Sequence, residues 1–271
     1  MIAFPNAKIN LGLRVYGKRD DGYHNIETIM VPVDYCDILE IVVSPDGEPL
    51  YTFTGIVLPG KSPDNLVVRA YSRLQKQFGL PPVHLHLHKA IPFQAGLGGG
   101  SSDAAFTIMM LNKLFKLDLN TEEMQAHASV LGSDCPFFIR NQASLATGRG
   151  EIINPLSLSL AGLTILIVKP PVEVSTAEAY ANIDYSSGRN ALADYLNTPV
   201  EKWRDHFVND FEHFVFSRFP EVAAIKEKMY ASGALFAQMS GSGSAVYGIF
   251  EEGKIPENEF PGFISKRCRA I

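Results

Sequence analysis

Cysteine is scarce in this chain. Cys36, Cys135 and Cys268 are its only three, they are odd in number and they stand far apart. That excludes a disulfide framework and a paired CxxC zinc pattern, and leaves three small buried thiols in a reducing compartment as the expectation. Long apolar runs are missing as well. No stretch reaches the roughly 18 residues that a membrane-spanning helix needs. Met1 runs straight into Ile2-Ala3-Phe4-Pro5 without a basic-then-apolar leader. Positive charge is not in excess either. A net charge of −5 argues against a general nucleic-acid or acidic-membrane surface, though it leaves room for a local basic pocket. Internal repeats and low-complexity tracts are absent. The expectation is a cytoplasmic protein with no nucleic-acid or membrane partner.

What is present is ordinary globular material: 46% hydrophobic and 20% charged residues in a chain of 271. That composition suits one large domain or two ordinary ones, with enough buried surface to need no staple. Residues 7–16 alternate polar and apolar and read as a strand, as do 26–33, 38–43 and 83–88. Apolar spacing predicts helices over 64–78, 101–115 and 121–131. Later, 163–168 reads as a buried strand, and 175–182, 189–197, 200–216 and 220–231 read as helices. Strands over 234–239 and 244–250 follow, with the chain ending soon after. Early hairpins and later helices argue for an α+β fold rather than a regular βαβ repeat. The Leu-rich polar stretch near 154–162 gives expected domains of 1–157 and 158–271.

The strongest local signal is Pro92-Phe93-Gln94-Ala95-Gly96-Leu97-Gly98-Gly99-Gly100-Ser101-Ser102-Asp103-Ala104-Ala105, between a strand and a long helix. Glycines so crowded cost backbone entropy. They make sense where main-chain N–H groups approach a ligand, and the helix that follows adds free N–H groups and a positive dipole end, so an anion is favoured. Ser101 and Ser102 offer hydroxyls to phosphate or magnesium; alternatively Ser101 is an ordinary helix cap. A formal Walker match, Gly55-Ile56-Val57-Leu58-Pro59-Gly60-Lys61-Ser62, is poor physics. Pro59 removes a donor, and Pro63 pushes Ser62 out of helical geometry.

Lys8 and Asn10 share one strand face, which reads as solvent exposure or as a polar pair in a site. Asp134 stands among Cys135, Pro136, Phe137 and Phe138. It is either a helix cap or a sheltered carboxylate paired with a lysine and able to act as a base. Arg19-Asp20-Asp21-Gly22-Tyr23-His24 is a plain turn or a stacking platform for a base. His84, His86 and His88 share a strand face, exposed rather than metal-binding. Ser240-Gly241-Ser242-Gly243-Ser244 is a hairpin turn or a second phosphate contact.

Taken in order, Pro5-Asn6-Ala7-Lys8-Ile9-Asn10-Leu11-Gly12-Leu13, the Pro92–Ala105 loop and Met239-Ser240-Gly241-Ser242-Gly243-Ser244-Ala245 resemble the three motifs of the GHMP kinases. The resemblance spans nearly the whole chain. It implies an N-terminal ribosomal-protein-S5-like domain, a ferredoxin-like C-terminal domain, ATP with Mg2+, and transfer of the γ-phosphate to a hydroxyl. Asp21-Gly22-Tyr23-His24 and Gly132-Ser133-Asp134-Cys135-Pro136-Phe137 point to a branch acting on a cytidine-diphosphate substrate. On this resemblance Asp134 takes the hydroxyl proton, Lys8 stabilises charge and Asn10 holds the substrate. Tyr23 and His24 bind the cytosine and Thr176 touches the substrate. Residues 92–102 cradle the phosphates, with Asn65 and Lys89 on the adenine side. The expected state is a monomer or weak homodimer. Rival readings are a family member acting on mevalonate, homoserine or a sugar, and a nucleotide-binding regulator without catalysis.

Overall fold

The computed structural model describes residues 1–57, 60–183, 185, 190–255 and 260–271. Leu58 and Pro59 of the Walker match, and Arg189 at the head of the predicted 189–197 helix, lie outside them.

The elements alternate in an α+β order. They are β1 (Ile2–Ala3), β2 (Asn6–Lys18), β3 (His24–Cys36), β4 (Ile38–Val43), β5 (Leu50–Gly55), α1 (Leu66–Phe78), β6 (Val83–Lys89), α2 (Gly99–Phe115), α3 (Thr121–Ser129) and α4 (Cys135–Arg140). There follow β7 (Ser144–Thr147), β8 (Ile152–Pro155), β9 (Leu163–Lys169), α5 (Thr176–Ala181), α6 (Glu212–Arg218), α7 (Pro220–Ala231), β10 (Phe236–Met239), β11 (Val246–Glu251) and β12 (Ile264–Cys268).

They form two compact units. The first comprises Met1–Ala7, Tyr35–Phe93 and Gly98–Asn141, the second Lys8–Asp34, Gln94–Leu97 and Gln142–Ile271. This differs from the expected break at 157/158, and the reason is strand pairing. β3 pairs with β7 and β7 with β8, so the strands of residues 8–34 belong to a sheet completed by chain beyond 142.

In the first unit the sheet order is β1-β4-β6-β5, with β5 parallel to β6 and the other pairs antiparallel. Its period-2 pattern buries Leu39, Ile41, Val83, Leu85 and Leu87. Helix α1 buries the stripe Val67, Val68, Ala70, Tyr71 and Leu74 and packs on α2. The second unit has the sheet β2-β3-β7-β8 and an antiparallel sheet β10-β11-β9-β12. Val168, Val215, Val222, Ile225, Met229, Val246 and Phe250 lie in one apolar core there.

Most predicted elements form. The helix expected over 200–216 does not: a 3-10 turn at Val200–Asp205 is followed by α6 only from Glu212. The main chain between them is drawn along β2, with Leu13 N–H donating to Val208 O (2.9 Å) and Asp210 N–H to Leu13 O (2.8 Å). Within 190–197 only a short 3-10 turn, Leu192–Tyr195, forms. The short elements β5, α4, β7, β8 and β12 are additions that the sequence pattern did not announce, and β12 extends the strand order beyond β11 by pairing with β9.

Candidate active site

In the second unit, Lys8 and Asn10 are buried, at 3% and 2% exposure. The solvent-exposed alternative is thereby overturned. Their face of β2 is covered by main chain from elsewhere in the unit. Lys8 N–H donates to Leu97 O (2.9 Å) and the Lys8 ammonium to Gly96 O (3.1 Å). Lys8 Nζ also donates to Asn10 Oδ1. The serine-glycine connector after β10 closes the same place. Asn10 N–H donates to Ser240 Oγ (3.1 Å), and Ser240 Oγ donates to Gly96 O (2.8 Å). Ala245 N–H donates to Ala95 O (3.1 Å). Gly96, at φ +73°, must be glycine: a β-carbon there would overlap the Ser240 carbonyl oxygen. Residues of the first motif, the front of the glycine loop and the third motif therefore meet in one hydrogen-bonded cluster, so the connector is more than a turn. Asn209 fastens it, its Nδ2 donating to Met239 O and Gly241 O at 2.8 Å each.

The rest of the glycine loop belongs to the first unit. Helix α2 starts at Gly99, inside the glycine run, with Gly98 as its N-cap in the left-handed region at φ +69°. Ser101 is therefore a first-turn residue and not the cap. Gly99 is needed because a β-carbon would lie 2.9 Å from Ile91 Cγ2 and 3.4 Å from Lys89 Nζ. The first intrahelical bond is Ser102 N–H to Gly98 O (2.9 Å). The N–H groups of Gly99, Gly100 and Ser101 thus carry the positive end of a 17-residue helix. Ser102 is fully buried, and among the described residues its hydroxyl has no partner. Pro92 is buried and Phe93 exposed.

Asp134 is half-buried at the N-cap position of α4, but its side chain makes no capping bond. The capping alternative fails. Its neighbour Cys135 is not a nucleophile, since burial pushes the thiol up to about 12. Asn65 does cap: its Oδ1 accepts from Val67 N–H (3.0 Å) at the start of α1. Lys89, expected at the adenine side, turns its ammonium into the protein. It is bonded to Asp37 Oδ2 and to Asp103 Oδ2 (2.7 Å). Burial alone would pull its pKa down, but the Asp103 and Asp37 carboxylates overbalance it and hold it above the lysine range. This ammonium is a structural cation.

The second unit also carries an aromatic platform. His24 stacks on Tyr180 with ring centroids 4.6 Å apart and an angle of 16°, and Tyr185 lies tilted at 6.0 Å. Tyr23 is 55% exposed, with the Arg149 guanidinium 4.9 Å from its ring centre. Burial, reinforced by Lys18, pulls the His24 pKa below the ordinary imidazole value, which favours the neutral ring. Thr176 Oγ1 lies 2.8 Å from Ser242 Oγ, which ties α5 to the third motif.

Other sequence features resolve blandly. His86 and His88 hydrogen-bond Thr54 Oγ1, and His84 lies near Ser44 and Asp46. No group of three His, Cys, Asp or Glu among the described residues could hold a metal. Ser62 of the Walker match sits in a 3-10 turn before α1, not in a helix first turn. Cys135 and Cys268 are buried, Cys36 only partly, and none of the three is in a disulfide. No helix among the described residues is long and apolar enough to cross a membrane. Sequence reasoning missed Thr28, Asp37 and Asn209, which carry no motif signature of their own, and the part played by Asp103, which lies inside the glycine-loop motif.

Comparison with known proteins gives a consistent picture. Residues 65–142 match the model of the GHMP kinases N terminal domain, and residues 200–258 that of the GHMP kinases C terminal. A 4-diphosphocytidyl-2-C-methyl-D-erythritol kinase of Bacteroides thetaiotaomicron is 49% identical, over 96% of this chain and 96% of that protein. One of Shouchella clausii is 38% identical over 91% and 84%. A crystal structure of 4-(cytidine 5'-diphospho)-2C-methyl-D-erythritol kinase superposes with a TM-score of 0.76 at 31% identity, covering 92% of this chain and 89% of that one. A homoserine kinase from Cytophaga hutchinsonii shares the fold, with a TM-score of 0.68 at 16% identity, covering 97% of this chain and 93% of that one.

Proposed function

The chain belongs to the GHMP kinase family, and from that premise we propose that it phosphorylates the 2-hydroxyl of 4-diphosphocytidyl-2-C-methyl-D-erythritol with ATP, in isoprenoid precursor synthesis. The observation that carries the choice of substrate is the aromatic platform of Tyr23, His24 and Tyr180, in the same unit as Lys8 and Asn10. Mevalonate and homoserine bring no ring to stack there and a sugar ring is not aromatic; a cytosine brings an aromatic face. Relatives of 45–49% identity bearing this enzyme's name support the same reading.

In this reading the substrate hydroxyl oxygen attacks the γ-phosphorus, the bond from that phosphorus to the β,γ-bridging oxygen breaks, and ADP leaves. The hydroxyl proton passes to the Asp134 carboxylate. Phosphoryl transfer asks mainly for positioning and charge neutralisation. The free N–H groups at the head of α2 and the 92–102 loop hold the phosphates, Lys8 stabilises the transferred group, and Asn10 and Thr176 orient the acceptor. Asn65 and the main chain of Lys89 border the adenine. The orphaned Ser102 hydroxyl, with Ser101 beside it, is an oxygen donor set suited to magnesium held mainly by phosphate. Bound there, the ion would neutralise charge building on the phosphate oxygens. We place the enzyme in the cytoplasm as a monomer or weak homodimer.

A coupled ADP-release assay tests the reading, with the cytidine substrate run beside mevalonate, homoserine and a sugar. Turnover only with the cytidine compound is expected. Turnover with one of the others instead would overturn the substrate assignment, and tight ATP binding without ADP formation on any alcohol would point to a regulator.

A further inference from the structure

Thr28 lies on β3, fully buried, and belongs to none of the three motifs. Its hydroxyl has one proton, and that proton is used: Oγ1 donates to Gly12 O at 2.5 Å. Toward Asn10 it can therefore only accept, and Asn10 Nδ2 donates to it at 3.0 Å. This fixes the Asn10 carboxamide, whose two ends are otherwise interchangeable. With the NH2 end claimed by Thr28, the oxygen end must face Lys8, and it accepts from Lys8 Nζ. A second ammonium donor bond goes to Gly96 O (3.1 Å). The chain runs in one direction only, from the Lys8 ammonium to Asn10, from Asn10 to Thr28 and from Thr28 to the Gly12 carbonyl.

We propose that Thr28 is a positioning residue for phosphoryl transfer: its hydroxyl sets the orientation of the Asn10 amide and so aims the Lys8 ammonium. Without the hydroxyl, the amide can turn its NH2 end toward Lys8, where donor meets donor. The proposal rests on the role given to Lys8 above.

The test compares Thr28→Val, which keeps the shape and loses the hydroxyl, with Thr28→Ser, which keeps the hydroxyl. Thr28→Val is expected to lower kcat at least tenfold with the KM for ATP within about twofold of the parent, and Thr28→Ser to recover kcat to within about threefold. In an Asn10→Ala background, Thr28→Val should have little further effect, because the two act through one chain. An unchanged kcat in Thr28→Val, or an equal loss in Thr28→Ser, overturns the proposal. So does full additivity with Asn10→Ala. If the valine variant does not fold, amide proton exchange in the unsubstituted protein decides instead. The Asn10 carboxamide protons should exchange at least tenfold more slowly than those of an exposed asparagine, and exchange at the exposed rate overturns the proposal. Lys8→Ala, measured alongside, separates the two levels. Retained turnover there sinks the role of Lys8 and this proposal with it; lost turnover there with an unaffected Thr28→Val sinks only the role of Thr28.

Discussion

Lys8 and Lys89 are both strand lysines buried to within a few per cent, yet the groups that position them differ. In the first unit the Lys89 ammonium is closed between the carboxylates of Asp37 and Asp103. Asp37 is bound further by the N–H groups of Ala90 (2.6 Å) and Ile91 (2.8 Å), which fastens the chain as it leaves β6 toward the glycine loop. In the second unit the Lys8 ammonium donates to an amide oxygen and a main-chain carbonyl. Those two acceptors orient the ammonium. A lysine bonded to two acid groups of its own unit holds a loop in shape; in the reaction proposed above, the Lys8 ammonium meets the charge of the transferred phosphate. Sequence position alone does not separate the two, since both lie on strands.

The sharpest way to break this contrast is to remove each cation in turn. Lys89→Met leaves the acid groups of Asp37 and Asp103 buried without their cation, and loss of one partner of a buried pair typically costs about 3–5 kcal/mol. The expected outcome is a large fall in the denaturant midpoint, with the turnover of the molecules that remain folded much less affected. Lys8→Met should do the reverse. We expect at least a hundredfold loss in kcat, equivalent to about 2.7 kcal/mol, with a smaller change in midpoint. Asp134→Asn should lower kcat by a similar factor while ATP still binds by calorimetry, on the usual scale of proton-transfer residues. If Lys89→Met proves stable but inactive while Lys8→Met is active, the two lysines have been assigned the wrong way round.

Much of this contrast could be read in advance, and the part that could not has a physical cause. The glycine loop is legible because only glycine tolerates the approach at Gly96 and the left-handed cap at Gly98. Lys8 and Asn10 are legible as a pair because a strand puts i and i+2 on one face. Their burial was not, because alternation describes a strand with one wet face, and here distant main chain from 95–97 and 240–245 covers it. Thr28 reads as an ordinary strand former, and its role depends on which partner takes its one proton. The resemblance puts Lys89 on the adenine side, and the sequence does not show its ammonium turned inward because the two acid groups that bind it stand 52 and 14 residues away in the chain. The 207–210 segment kept an apolar pattern that suited a helix, but its main chain was taken by β2.

Within the second unit, the aromatic platform sharpens the contrast between binding and chemistry. Tyr23→Ala removes a ring that is more than half exposed, and His24→Ala removes the partner stacked on Tyr180. Each should raise the KM for the cytidine substrate by about tenfold, since stacking on an aromatic is worth about 1–3 kcal/mol per base. The KM for ATP should stay within about twofold. Equal effects on both substrates would show that the platform does not read the cytosine.

The smallest expected effect probes the closed side of the comparison. Burial pushes Asp103 up to about 8, against the pull of Lys89 and with Asp37 adding to the rise. A proton on Asp103 leaves one carboxylate and one ammonium in the cluster, so its net charge is zero at neutral pH. The unfolded chain releases that proton near pH 4. Between about pH 4 and 8 the folded state therefore holds a proton that the unfolded state lacks. Stability from this group is complete below the unfolded value and declines as pH rises toward 8. Asp103→Asn keeps the shape and cannot titrate. From pH 6 to 8 the Tm of the parent should fall relative to that of Asp103→Asn, by at least about 2 °C, the shift that roughly 1 kcal/mol produces in a chain of this size. Parallel Tm curves would mean that Asp103 is already ionised at pH 6. Lys89 would then sit between two full negative charges, making the cluster an open anionic site rather than a closed neutral one.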